Sequence, residues 1–318
     1  MNLQVLYQNQ KNGEAWDVSS LVKSPKWKTK RAGSPASFEF EVIRDENISW
    51  EMGGIVSVKT GDTGLFYGYV FKVSQTHTGF ITVTAYDQTI YLKQNKETYV
   101  ITGRRADEIT AMIARDFKLK TGTLENTRYT IPSLVEDGQT LIDIILKALD
   151  LTLINIGEMY YLWDDYGSLR ISGVKNTRLD LLVGDGSLAT GYTYTTDIES
   201  DTFNRIKLVR DNKESGKRDV YIFQDSNNIR FWGTLQHYEK VNESLNPAQI
   251  EERGNNLLLT KNRPKRTFEL DALSDLSVRA GRCLFIRIEE LGISQFFVVE
   301  EASHDIEKEV MHLKLRVI

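Results

Sequence analysis

At 318 residues the chain exceeds what one ordinary hydrophobic core serves, so two or three domains are expected. A 41% hydrophobic, 26% charged composition excludes a disordered tail, and a formal net charge of −4 excludes a global basic field for nucleic acid or an anionic membrane. Cys283 is the single cysteine, so nothing demands an oxidising compartment, and no signal peptide or membrane-spanning stretch is expected.

Residues 1 to about 97 read as strands joined by tight turns. Val5-Leu6-Tyr7, Asn12-Gly13 and Ala15-Trp16-Asp17-Val18 form a hairpin signal, and Phe38-Glu39-Phe40-Glu41-Val42 alternates apolar and acidic residues at the period of a half-buried strand. Ile55 to Lys59, Leu65 to Val73 and Phe80 to Tyr86 are the next strands. Lys26, Lys28, Lys30 and Arg31 form one dense basic patch around Trp27, read as a solvated loop or as a rim contact to an acidic partner.

Beyond Thr102-Gly103, the recurrence of Ala106, Ile109, Met112, Ile113 and Phe117 predicts a helix with Asp107 and Glu108 in its first turn. A second helix is expected over about 140–149, with Thr140-x-x-Asp143 as its capping signal. Leu153-Ile154-Asn155-Ile156, Tyr160-Tyr161-Leu162-Trp163 and Leu169-Arg170-Ile171 read as a strand meander. Further strands are expected at Arg205 to Arg210, Val220 to Gln224 and Ile229 to Thr234, with Asn227-Asn228 as a turn. A helix capped by Asn246, with Pro247 in its first turn and Gln249 reaching back, follows them. Strands at Phe268 to Ala272, Cys283 to Ile288, Phe296 to Val299 and Val310 to Val317 close the chain.

The two β regions share an order of signals. Phe38-Glu39-Phe40-Glu41-Val42 parallels Phe268-Glu269-Leu270-Asp271-Ala272, and Gly54 to Val58 parallels Gly281 to Phe285. Tyr69 to Val73 parallels Phe296 to Glu300, and His77 lies as far from Gly54 as His304 from Gly281. A duplicated unit is expected, with His77 and His304 at equivalent places. The fold class is therefore mainly β with an α+β middle domain: two similar tube-like β-barrel modules plus a small α/β domain. The expected boundaries are 1–97, 98–180 and 181–318, the last carrying an inserted helix near 246–259.

Candidate chemistry is thin. The sequence holds no phosphate loop of the Gly-Lys type, no paired-cysteine motif and no His-Glu-x-x-His segment. Gly184-Asp185-Gly186 reads as a turn. Ser303-His304-Asp305 has the residue types of a triad but not a spacing that lets neighbours face one another, so a turn histidine is expected. Asp164-Asp165 and Glu300-Glu301 read as a solvated turn and strand-end charges rather than paired glycosidase acids. Trp163 with Tyr160, Tyr161 and Tyr166 reads as core packing rather than a sugar platform. Cys283 is expected to be inert. No catalytic, cofactor-binding or metal residue is assigned, and no cofactor is expected.

The order of β module, small domain opening on Gly103-Arg104-Arg105-Ala106-Asp107-Glu108-Ile109, and second β module resembles the XkdQ/YqbQ-type tail hub proteins of phages and phage-like particles. The Phe268–Ala272, Ala280-Gly281-Arg282 and Phe296–Asp305 strings are similar to the closing part of that family. The resemblance implies a non-enzymatic baseplate hub subunit of a contractile tail. It also implies a homotrimer that adapts a hexameric tail tube to a trimeric central spike beside other baseplate proteins. Such a protein is made in the bacterial cytoplasm and incorporated into the particle, without membrane or specific nucleic-acid binding. The alternative is a tail-associated cell-wall-degrading or carbohydrate-binding protein, which needs convergent acids or a metal. A type VI-like spike base would carry a β-helix needle after the second module.

Overall fold

The computed structural model describes residues 3–77, 79–212 and 216–317. Seven strands come first: β1 (Leu3–Gln8), β2 (Ala15–Asp17), β3 (Val22–Lys30), β4 (Ser37–Ile43), β5 (Ile55–Thr60), β6 (Thr63–Gln75) and β7 (Phe80–Tyr86). They pair antiparallel in the order β3-β4-β7-β6-β5-β1-β2. Alternation decides which face is buried: Phe38, Phe40 and Val42 of β4 point into the core while Glu39 faces out. Trp50 touches Tyr7 of β1 and Phe40 of β4, strands separated in the ladder by β7, β6 and β5, so the sheet wraps around its core.

The middle of the chain is α+β. It holds α1 (Thr89–Gln94), β8 (Lys96–Arg104), α2 (Ala106–Asp116), β9 (Thr121–Leu124), β10 (Ile131–Thr140), α3 (Leu141–Ile156), β11 (Tyr160–Asp164) and β12 (Leu169–Gly173). The ribbon β8–β10 and the small sheet β11-β12-β9 enclose α2 and α3 in one apolar cluster. At α2, the Glu108 carboxylate accepts the Arg105 N–H; at α3, Thr140 Oγ1 accepts the Asp143 N–H at 3.3 Å, as the capping signal predicts. Leu153 to Ile156 is not a strand but the last turn of α3. Gly157, at φ +67°, ends that helix by donating its N–H to the Leu153 carbonyl.

Then come β13 (Arg178–Gly184), β14 (Ala189–Asp197), β15 (Arg205–Asn212), β16 (Lys217–Gln224), α4 (Ser226–Trp232), β17 (Gln236–Lys240), α5 (Pro247–Lys261), β18 (Lys265–Leu273), β19 (Cys283–Ile288), β20 (Ile293–Asp305) and β21 (Val310–Val317). Between β14 and β18 stand a three-stranded sheet, β16-β15-β17, covered by α5, and the exposed helix α4, so the insertion is larger than one helix. Ile229 to Trp232 is helical where a strand was expected. The Asp225 carboxylate accepts the N–H groups of Asn227 and Asn228 and starts α4 there. Asn246, Pro247 and Gln249 cap α5 as the sequence predicts.

The second β module has the ladder β14-β18-β21-β20-β19-β13, position for position the order β3-β4-β7-β6-β5-β1. One difference is that β13 runs parallel to β19 whereas β1 runs antiparallel to β5. The cross-strand pairs match in detail: Phe38–Ala85, Phe40–Val83 and Val42–Ile81 correspond to Phe268–Leu315, Leu270–Leu313 and Ala272–Met311. Both long strands carry a bulge at the same place, between Val70 and Lys72 and between Val299 and Glu301. Gly53 N–H donates to Val70 O and Val70 N–H to Gly54 O; Gly281 N–H donates to Val299 O and Val299 N–H to Arg282 O.

That register corrects the histidine equivalence. Counting from the bulge, the counterpart of His304 is Gln75, not His77, which is exposed beyond the end of β6. The spacing agreed because two one-residue offsets add up: Gly53, not Gly54, is the counterpart of Gly281, and the stretch from that glycine to the bulge is one residue shorter in the first module.

Candidate functional site at the joint between the modules

The two ladders fuse into one 13-stranded sheet where β20 pairs antiparallel with β3: Glu301 with Lys30, Ala302 with Thr29, Ser303 with Lys28, His304 with Trp27, and Asp305 with Lys26. The basic patch is thus a strand, not a loop. Pro25, Trp27 and Thr29 face inward at period two while Lys26, Lys28 and Lys30 share the other face. Its acidic partner lies in the same chain. Lys28 Nζ and Lys30 Nζ stand 2.5 and 3.1 Å from the Glu301 carboxylate, and Arg31 Nε donates to Glu300 at 2.8 Å. Burial pushes the Glu301 carboxyl up, but hydrogen bonds and charge from Lys28 and Lys30 outweigh it and hold the group below its ordinary range. Glu300 and Glu301 therefore sit mid-strand, at the bulge, rather than at a strand end.

His304 is fully buried within β20, not in a turn. Its Nε2 lies 2.8 Å from the Val278 carbonyl, which accepts only, so Nε2 carries the proton. Nδ1 then accepts from the Ser274 hydroxyl at 2.8 Å. The ring stacks on Trp27 at 5.3 Å between centroids. Burial pulls its pKa down and keeps the imidazole neutral. Ser303 and Asp305 pair across to Lys28 and Lys26, and neither hydrogen-bonds the ring.

Beside this seam all three parts of the chain meet. Asp87, just after β7, is 3% exposed and accepts the N–H groups of Thr89 and Ala36. Asp164, the last residue of β11, is 5% exposed and accepts from Gln88 Nε2 and the Gly167 N–H, each at 2.7 Å. Arg279, preceding β19, donates from Nη2 to the Asp164 carbonyl at 3.1 Å, with its guanidinium 4.3 Å from the Trp163 ring and 5.8 Å from that of Trp27. Arg279 Nε and Trp27 Nε1 are buried without a hydrogen-bond partner among the described residues. Burial, then the charge of Asp164, pushes Asp87 up to about 7, and burial likewise raises Asp164. Asp164-Asp165 is thus no solvated pair: the first is enclosed and the second is held by Arg170 at 2.8 Å.

The aromatic group belongs to the same joint. Tyr161 packs against Gly281, where a Cβ would stand 2.0 Å from the ring and φ is +88°, so only glycine fits. Tyr166 meets Tyr67 of β6 edge-on at 5.6 Å, and Trp163 lies under Arg279. Cys283 is fully buried, donates to the Val174 carbonyl, and has its thiol pushed up by burial. Gly184-Asp185-Gly186 is a turn in which Asp185 accepts the Glu289 N–H. Among the described residues no three His, Cys, Asp or Glu side chains are placed to hold a metal. The arrangement can lock three parts together; it offers no open acid or nucleophile with a matched base.

Asp87 gives the joint a pH dependence. Between its ordinary 3.8 and about 7, the folded chain holds a proton that the unfolded chain has released, so this group's contribution to stability falls as pH rises through that window. His304 works oppositely: below about 6.5 the unfolded chain takes up a proton that the folded chain refuses, so acidification costs stability. Asp87→Asn removes only the first effect. Relative to the parent, the variant should gain roughly 2 kcal/mol between pH 5 and pH 8. Urea midpoints of both proteins at the two pH values check this, and a difference independent of pH would contradict it.

The YQBQ-like family matches residues 25–317. YqbQ of Bacillus subtilis (strain 168) is 32% identical over 292 residues, covering 90% of this chain and 88% of its own. The phage-like element PBSX protein XkdQ of the same strain is 32% identical over 282 residues, covering 86% and 85%. Among solved structures, the 43 kDa tail protein of prophage MuSo2 from Shewanella oneidensis aligns with a TM-score of 0.71 at 13% identity, covering 98% of each chain. The fold, mainly β with few helices, is one shared with a prophage tail protein, and the chain belongs to the YQBQ-like family.

Proposed function

We propose that the chain is a structural hub subunit of a contractile phage-type tail, three copies of which bring six β modules around the tail axis to join a hexameric tube to a trimeric spike. The observation that carries this is the edge-to-edge joint of two modules with one strand order. Two like modules per chain turn three-fold symmetry into six similar positions. Family membership beside a protein of a phage-like element, and a fold shared with a prophage tail protein, support the tail setting. In this reading residues 1–97 and 181–318 are the ring-forming modules, and 98–180 lies outside or below the ring. The tail tube, the central spike and other baseplate proteins are its partners, and the assembled particle is its destination. No catalysis is assigned, because His304 and Asp164 are spent on structural contacts.

Copy number within purified tail particles, from electron cryomicroscopy, tests the reading. Three copies around the axis are expected. Six copies, or a single axial one, would overturn it.

A further inference from the structure

Each module has two edges that matter, and inside the chain one edge of each is used: the outer edge of β3 and the C-terminal half of β20. The corresponding edges are the outer edge of β14 and the β6 segment Lys72–Gln75. Among the described residues no strand pairs with either. An exposed strand edge is a template for another chain.

The duplication supplies the register. Trp27 pairs with Phe38 as Tyr194 pairs with Phe268, so Trp27, Lys28, Thr29 and Lys30 correspond to Tyr194, Thr195, Thr196 and Asp197. The shared bulge matches Glu301, Ala302, Ser303 and His304 with Lys72, Val73, Ser74 and Gln75. Moving the internal pairing onto the open edges sets Lys72 opposite Asp197, Val73 opposite Thr196, Ser74 opposite Thr195, and Gln75 opposite Tyr194. The internal ion pair between Glu301 and Lys30 becomes Lys72 with Asp197, the same contact with its signs exchanged. Among the described residues neither has an ionic partner: Lys72 is exposed, and the Asp197 carboxylate accepts the Glu199 N–H.

We propose that β14 of one copy pairs antiparallel with the Lys72–Gln75 segment of β6 in the next copy, with Lys72 and Asp197 forming the ion pair of that joint. The sign exchange sets specificity. β14 meeting β20 would bring Asp197 against Glu301, and β6 meeting β3 would bring Lys72 against Lys30, so only the chain-internal and the copy-to-copy joints are electrostatically matched. The proposal rests on the reading that several copies surround one axis, and it names the surface by which they touch.

Two full-length variants in assembled tails test it. Ser74→Cys with Thr195→Cys places the two thiols opposite each other across the joint only when separate copies meet. Oxidised particles should then give covalent dimers and trimers on a non-reducing gel. Lys72→Glu or Asp197→Lys alone should cut the yield of assembled tails by at least about tenfold, and the two together should restore it. Particles with three copies but no cross-link, or a double variant as poor as the single ones, would overturn the joint while leaving the trimer standing. Particles with one or six copies would instead overturn the trimer.

Discussion

Replacing Arg279 by methionine is expected to destabilise the folded chain by about 3–5 kcal/mol at pH 8, because it leaves buried carboxylates without their cation. Asp87 and Asp164 are both almost fully enclosed, and the positive charge of Arg279 holds down the pKa of each against the burial that raises it. Methionine fills much of the volume between Trp163 and Trp27 but brings no charge. At pH 5 the cost should shrink, since Asp87, already raised to about 7, accepts a proton and relieves the repulsion. Arg279→Lys should cost less than methionine, since it keeps the charge while losing the planar stacking and the bond from Nη2 to the Asp164 carbonyl. Urea unfolding at both pH values, followed by tryptophan fluorescence, measures all three effects. Equal losses for methionine at pH 5 and pH 8 would show that Arg279 acts through packing and not charge.

The parts of this architecture that were legible in the sequence are those in which one face of a strand is buried. Phe38, Phe40 and Val42 and their counterparts Phe268, Leu270 and Ala272 are all almost wholly inaccessible, and period-two burial writes itself directly into residue order. Matching failed where turns intervene: the counterpart of Gly281 is Gly53 rather than Gly54, and that of His304 is Gln75. The β3 strand looked like a loop because its solvent face is lysine and its buried face includes Pro25 and Thr29, residues with little apolar signature. Helix α3 hid its last turn because Leu153, Ile154 and Ile156 are β-branched or bulky residues that suit a strand equally well. The joint itself had no local signature. Asp164 lies 76 residues from Gln88 and 115 from Arg279, and only the fold brings them together.

Trp27 and Tyr194 occupy matching places, and their replacement by alanine should separate what the isolated chain needs from what assembly needs. Trp27 is 2% exposed, belongs to the first module's core and stacks on His304 across the internal joint. Trp27→Ala removes one of the largest buried side chains and leaves a cavity on both sides of the seam, so a loss of about 3–5 kcal/mol is expected in the free chain. Water then reaches His304, and its pKa should return upward toward the ordinary value. Tyr194 packs on the second module's core through Phe268, but among the described residues no strand covers its outer side. Tyr194→Ala should therefore cost the free chain only about 1–2 kcal/mol. In assembled tails the difference should narrow, because Tyr194 then stands opposite Gln75 of the next copy and is covered as Trp27 is by His304. Denaturant midpoints of the two free variants, set beside their yields in purified particles, decide the matter. If Tyr194→Ala folds and also assembles as well as the parent, the equivalence of the two joints fails.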